Sequence, residues 1–257
     1  MGKAKKPFLI CLTGIDGSGK STLAKNLASK FPDNCCFIGD SLEFYDNGVK
    51  QVSQPYITDE LRRWVGRKAK KAKKLSSYKF PKIAELFLRD HLLIEVDRWY
   101  RPHFIFQDGS PLLNLVAWAN LYNKSNLDTD VISRALEIMQ GEKSPGALDH
   151  LFKQFPELLA ICALNLNQLR LPDEVVFLDV TPEVCISRIS LRGNHIQPHE
   201  NIIHLTQLRS AYQLVCKSLL STSCNVTIVG GDKDQDEIAD AIIGYLKIKL
   251  VENHDIH

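Results

Sequence analysis

The chain has 257 residues, 44% of them hydrophobic, and a formal net charge of +2. That suits one large α/β domain, or one domain carrying a helical insertion, with enough apolar residues for a substantial core. The near-balanced charge excludes a global attraction to nucleic acid, and no apolar run is long enough to span a bilayer. Seven cysteines, at 11, 35, 36, 162, 185, 216 and 224, lie mostly in apolar stretches and show no C-x-x-C. They predict reduced core residues of a cytosolic protein, not a disulfide frame or a zinc site. The basic residues 2–6 precede an apolar segment that reads as a first strand rather than a cleaved leader.

Pro7-Phe-Leu-Ile-Cys-Leu-Thr13 predicts a buried strand. It runs into Gly14-Ile15-Asp16-Gly17-Ser18-Gly19-Lys20-Ser21, followed by Thr22, which is the complete pattern G-x-x-x-x-G-K-S of a phosphate-binding loop. Glycines are needed because a loop whose N–H groups all point inward requires backbone angles that a side chain would block. The helix predicted over 21–31 turns its positive N-terminal end on the same anion. Gly14 through Thr22 are therefore candidates for cradling ATP. Lys20 is placed to reach the β- and γ-phosphates, and the Ser21 hydroxyl to ligate Mg²⁺.

Cys35-Cys36-Phe37-Ile38 predicts a second strand, ending at Gly39-Asp40. Strand, helix, strand in this order means a parallel pair with a right-handed crossover. The C-terminal ends of such strands line the ligand crevice, which makes Asp40 and Glu43 candidates for facing substrate. Residues 45–56 read as a loop. Thr58 is expected to cap a helix reaching Leu75, with Asp59 and Glu60 in its first turn and lysines in its last. Its cations, Arg62, Arg63, Arg67, Lys68, Lys70, Lys71, Lys73 and Lys74, fit either a solvated face or an attraction for a phosphorylated substrate or nucleic-acid strand. Only Trp64 and Tyr78 interleave with them, so no base-stacking surface follows.

A long helix is predicted over 81–101, with Pro81 in its first turn and Pro102 closing it. His103-Phe-Ile-Phe-Gln107 is a third strand, terminated by Asp108-Gly109-Ser110. An apolar strand ending in aspartate suits a residue that holds Mg²⁺ or orients an acceptor hydroxyl. Helices are expected over 112–122 and 128–140, with Gly141 as a stop, then a loop over 142–146 and further helix over 148–155 and 156–171. The stretch 112–171 is longer than one crossover needs and reads as a helical insertion.

Glu174-Val-Val-Phe-Leu-Asp-Val180 is a buried strand, after which Thr181, Pro182 and Glu183 open a helix running to Leu191. Arg188 and Arg192 lie on one face of it. The polar run 194–201, with His195, Gln197, Pro198, His199 and Glu200, suits a mobile lid of about 192–201 over the phosphates. A helix over 202–220 contains Arg209 and Tyr212. A last strand over 224–229 turns at Gly230-Gly231-Asp232 into a closing helix over 234–251 and a frayed tail.

This order resembles the thymidylate kinase and deoxynucleoside kinase branch of P-loop kinases. Gly14 to Thr22, with its acidic Asp16, is similar to the thymidylate kinase form of the loop. Leu86-Phe-Leu-Arg-Asp90, the helix ending at Pro102 and the strand ending in Asp108 look like that family's second block. Leu178-Asp-Val180, Pro182-Glu183, Arg188 and Arg192 look like its strand-and-arginine block. Glu200 and the Arg209–Tyr212 pair fall where the family has its lid glutamate and an arginine–tyrosine pair. Outside residues 41–80 and 124–170 the resemblance covers most of the chain. Three departures concern the acceptor phosphate: Gly109 follows Asp108, Gly39-Asp-Ser-Leu-Glu-Phe44 stands in place of Arg-Glu-Pro, and His91 replaces an arginine. Arg98, Arg101 or the basic helix would have to supply the missing cations. Otherwise the acceptor carries no phosphate, and Asp40 or Glu43 becomes its general base. Gly17 occupies a position where some thymidylate kinases carry a catalytic arginine, a part the resemblance passes to Arg188 and Arg192.

The expected fold is thus an α/β P-loop NTPase three-layer sandwich: one domain spanning 1–257, a parallel sheet of about five strands, helices on both faces and a helical insertion. The expected function is ATP- and Mg²⁺-dependent phosphoryl transfer to a nucleotide, thymidylate kinase-like. Two alternatives stand: a kinase of a deoxynucleoside or other small hydroxyl compound, and a nucleotide-binding module with a basic partner-docking helix. In the first reading Lys20, Asp16, Asp108, Arg188 and Arg192 act on the reaction, Asp16 at the acceptor sugar or its reacting end. Ser21 and Asp108 hold the metal. The partner is a small nucleotide or nucleoside, with no membrane and no nucleic acid expected; a homodimer is compatible with this reading, and the location is cytoplasmic.

Overall fold

Apolar strands alternating with helices along most of the chain dictate a largely parallel sheet. The computed structural model describes residues 6–52, 56–123, 128–142, 150–193, 196–231 and 234–254. Residues 2–5, 53–55, most of the 142–146 loop, Asn194, His195, Asp232 and the last three residues of the tail lie outside the described residues. The strands are β1 (Phe8–Thr13), β2 (Cys35–Ile38), β3 (Leu42–Asp46), β4 (Val49–Gln51), β5 (Phe104–Asp108), β6 (Glu174–Asp179) and β7 (Asn225–Gly230). They form one seven-stranded sheet in the order β4-β3-β2-β5-β1-β6-β7. The β2-β5-β1-β6-β7 part is parallel throughout, as expected, while β3 and β4 add an antiparallel edge.

The helices are α1 (Lys20–Lys30), α2 (Ile57–Lys70), α3 (Leu75–Trp99), α4 (Pro111–Asn123), α5 (Thr129–Met139), α6 (Leu151–Gln154), α7 (Pro156–Ala163), α8 (Pro182–Leu191), α9 (Ile202–Leu219) and α10 (Gln235–His254). On one sheet face Leu9, Cys36, Ile38, Phe44 and Ile105 pack with Leu92, Leu93 and Val96 of α3. On the other, α1 lies across β1, β2 and β5 and beside α10, where Phe31 meets Phe104 and Phe106 at ring distances of 4.5 and 5.5 Å. α4 and α5 pack on α9. Burying these side chains is the main favourable term in folding.

Four expectations change. The loop read over 45–56 begins as a hairpin: β3 and β4 pair through Asp46↔Val49, and Asn47 and Gly48 between them have φ of 48° and 76°. An Asn-Gly pair with two positive φ values is the hairpin turn whose twist matches its strands. The basic helix starts at Ile57 without a side-chain cap, since Thr58 donates its hydroxyl to Glu95 at 2.7 Å. The next helix starts at Leu75, so Pro81 lies inside it rather than in its first turn. Proline there has no N–H for the carbonyl four residues back, and packing against α2 holds the segment helical regardless. Finally, the helix read over 156–171 stops at Ala163, and Leu169, buried, continues toward β6 without helix.

Asp90 of α3 ties this non-helical return to the sheet, accepting from the Arg170 backbone N–H at 3.3 Å. Burial pushes its carboxyl up to about 6, above the usual range, against the pull of that hydrogen bond and the Arg170 charge. The folded state therefore binds an extra proton between about pH 4 and pH 6, relative to an unfolded aspartate near 3.9. The Asp90 contribution to stability should decline as pH rises through that window. Thermal melts of Asp90→Asn and the parent from pH 4 to pH 7 should show the variant gaining relative stability as pH increases; a constant difference would contradict this.

Candidate active site

The register of two parallel strands assembles the site. Leu12 pairs with Asp108, and the Gly109 N–H donates to the Leu12 carbonyl at 2.8 Å. This sets the end of β5 beside the loop that leaves β1. The Ser21 hydroxyl, in the first turn of α1, donates directly to the Asp108 carboxylate. The two oxygens proposed for the metal are thus in contact. A hydroxyl and a carboxylate are the hard oxygen donors that Mg²⁺ prefers.

The loop is tight enough that glycine is required at two points. At Gly14, φ is +145° and an added Cβ would lie 2.8 Å from the Leu178 carbonyl oxygen. At Gly17, φ is +84° and a Cβ would lie 2.6 Å from the Cys185 carbonyl oxygen. The strand β6 and the start of α8 thus press against the loop. Lys20 donates to the Ile15 carbonyl at 2.8 Å and stands 3.6 Å from the Asp16 carboxylate, so its charge is held at the loop mouth. The buried Ser18 hydroxyl has no partner among the described residues. These features fit a cradle for phosphate oxygens.

The loop opens into a cleft of about 960 Å³. Every residue from Gly14 to Thr22 lines it except Ser18, and so do Asp108, Arg188 and Arg192. Arg188 donates to the carbonyls of Ser18 (3.4 Å) and Gly231 (3.2 Å), bracing the loop from α8. Arg192 pairs with Glu200, which is buried and also accepts from the Gln197 N–H at 2.6 Å. The described part of the lid thus reaches the cleft. Arg209 does not line it; it pairs with Asp179 at 2.6 Å. Tyr212 does line it, donating to Asn114 Oδ1 at 2.8 Å and accepting from Trp118 Nε1 at 3.2 Å.

The opposite wall is the basic helix. Arg62, Arg63, Arg67, Lys70 and Lys71 of α2 and the residue after it line the cleft, with Lys82, Glu85 and Arg89 of α3. Arg62 is buried and locks α2 to the end of β2, donating to the Gly39 carbonyl and the Asp59 carboxylate, each at 2.6 Å. Arg89 donates to Glu85 at 2.7 Å and to the Asp108 carbonyl. Burial raises the Glu85 carboxyl, but the charges of Arg89, Lys82 and Arg62 outweigh that and hold it well below the usual range. Arg98 and Arg101 are exposed and do not line the cleft, whereas the cations of the basic helix do.

Of the two acidic candidates after β2, only Asp40 faces the cleft, paired with Lys70 at 2.7 Å. Glu43 is turned away and clamped by Lys25 (2.6 Å), Lys50 (2.9 Å) and the Tyr45 hydroxyl (2.7 Å). Partial burial raises the Glu43 carboxyl, but hydrogen bonds from Lys25, Ser41, Lys50 and Tyr45 depress it far more, which makes it a poor base.

No family model matches the chain. It is 23% identical over 236 residues to the thymidylate kinase of Leptospira interrogans serogroup Icterohaemorrhagiae serovar copenhageni, covering 92% of each protein. It is 24% identical over 213 residues to that of Leptospira borgpetersenii serovar Hardjo-bovis, covering 83% of each. Among solved structures it is similar to deoxyadenosine kinase from M. mycoides with bound dCTP (TM-score 0.57, 16% identity, 93% of this chain and 99% of that one). It is also similar to thymidylate kinase from Candida albicans (TM-score 0.54, 17% identity, 97% and 94%). The chain thus carries a P-loop, is similar to thymidylate kinases in sequence, and shares the fold of the thymidylate and deoxyadenosine kinase structures.

Proposed function

We propose that the protein is an ATP-dependent nucleotide kinase, passing the terminal phosphoryl group of ATP to a nucleoside monophosphate of the thymidylate type. One observation carries this reading. The cleft that opens from the phosphate loop is lined by ten basic side chains and four acidic ones. Six of the basic ones are Arg62, Arg63, Arg67, Lys70 and Lys71 on the α2 wall and Lys82 on α3. That wall is tied to the end of β2, which lies across β5 from the loop. Such a balance suits phosphates at both ends of one cleft. Arg67 and Lys71, four residues apart, have side chains without ion pair or hydrogen bond among the described residues, and they are assigned to the acceptor phosphate.

Lys20 and the loop amides hold the donor phosphates and draw off charge as the terminal group leaves. Ser21 and Asp108 would hold Mg²⁺, which when bound neutralises the phosphate chain. Arg188 and Arg192 face the cleft from α8 and the lid and neutralise charge on the transferring group, a role worth about 10³ or more in rate. Asp16 serves the acceptor sugar. We read the whole chain as one domain, with α4 to α7 as the insertion. The free thiols of Cys11, Cys35, Cys36, Cys162, Cys185 and Cys216 fit a cytoplasmic location, and no helix of the described residues is long and apolar enough to cross a membrane. A nucleoside acceptor is the second reading, carried by Asp40, whose carboxylate lines the cleft and would take a hydroxyl proton.

Lys20→Ala should lower ADP release at least about 10²-fold while the circular dichroism spectrum stays unchanged; equal turnover would remove the donor-site assignment. Arg67→Ala with Lys71→Ala should raise KM for thymidine monophosphate about tenfold or more and leave KM for ATP within about twofold. Thymidine turning over better than its monophosphate, with KM untouched by this double change, would favour the nucleoside reading.

A further inference from the structure

His199 stands in the polar run 194–201 with no further sequence signal, yet the fold encloses its ring. Its side chain is fully buried, with 0% exposure. The ring lies 4.8 Å from Tyr78 of α3 and 4.6 Å from Trp118 of α4, centroid to centroid. Its Nε2 meets Asp16 Oδ2, and its Nδ1 has no hydrogen-bond partner among the described residues. Nδ1 has no acceptor within reach and a carboxylate can only accept, so the hydrogen bond to Asp16 is assigned to a hydrogen on Nε2.

Asp16 is therefore gripped on both sides. Lys20 stands 3.6 Å from Oδ1, and His199 holds Oδ2. A partly buried carboxylate beside a phosphate cradle needs a fixed place, because its charge repels phosphate wherever it is free to swing. His199 does not line the cleft and so reaches no substrate itself. Next to it, Glu200 ties Arg192 to the same lid turn, so the loop carboxylate and a cleft arginine are set by two adjacent lid residues.

We propose that His199 is a positioning residue: clamped between Tyr78 and Trp118, it donates from Nε2 to Asp16 and fixes the loop carboxylate in the geometry that transfer requires. The proposal rests on the kinase reading for its kinetic consequence but not for its structural one. Two variants separate the donor from the packing. His199→Phe keeps an aromatic ring and removes the donor; His199→Gln restores an N–H donor of similar reach.

With ATP and thymidine monophosphate, His199→Phe should lower kcat about ten- to a hundredfold with KM for ATP within about twofold, and His199→Gln should recover a large part of the loss. Asp16→Asn combined with His199→Phe should be no worse than the more impaired of the two single variants. Equal kcat in all forms, no rescue by glutamine, or additive losses would overturn the proposal. If the parent protein turns over no thymidine monophosphate, the kinase reading fails, and ¹⁵N imidazole spectra decide the proposal alone. A hydrogen on His199 Nε2, with the ring signals shifted in Asp16→Asn, supports it; signals indifferent to that change overturn it.

Discussion

The parallel pairing of β1 with β5 is the constraint on which the rest depends. Its register brings Asp108 level with Leu12, two residues before the chain enters the phosphate loop at Gly14. From that single alignment follow the contact between Ser21 and Asp108, the approach of Arg89 to the end of β5, and the opening of the cleft between them. A slip of one residue would turn Asp108 to the other sheet face and separate the two oxygen donors. The apolar side chains on both faces of these strands make such a slip costly, so core and chemistry are specified by the same residues.

Charge organises the second half of the cleft. A helix carrying arginine at 62, 63 and 67 and lysine at 68, 70 and 71 would repel itself and its surroundings if left alone. The structure gives each inward cation a distinct task. Arg62 is buried against Asp59 and backbone carbonyls and fixes the helix to the sheet. Arg63 pairs with Asp59 at 3.0 Å, and Lys70 pairs with Asp40. Arg67 and Lys71 remain turned to the cleft. The buried cation is thus spent on architecture, while the exposed Arg67 and Lys71 carry the proposed contact with the acceptor phosphate, as desolvation costs require. Near-neutral net charge over the whole chain conceals this local surplus.

Much of this was legible in the residues. The loop pattern between a strand and a helix pointed to the proposed donor site, and every one of its residues but Ser18 lines the cleft. The parallel strands announced themselves as continuous apolar runs bounded by glycine and aspartate. The β3–β4 edge was hidden because β3 carries Glu43 and Asp46 and β4 is short and exposed, so neither reads as an apolar run, yet Asn47-Gly48 carried a turn signal that would have revealed it. Glu43 and Asp40 could not be told apart by spacing, since which one faces the cleft depends on the hairpin's pleat. His199 was beyond local reading for another reason. Its partners Tyr78, Trp118 and Asp16 come from three distant stretches, and only the folded arrangement makes them neighbours.

The central claim is that one cleft holds the phosphates of a donor and of an acceptor together. A calorimetric titration, in the presence of Mg²⁺, with a compound joining adenosine to thymidine through a phosphate chain long enough to span both ends tests it most directly. Binding at one site per chain, much tighter than ATP alone and excluding both ATP and thymidine monophosphate, is the predicted result. Affinity no greater than that of ATP, with thymidine monophosphate failing to compete, would contradict it.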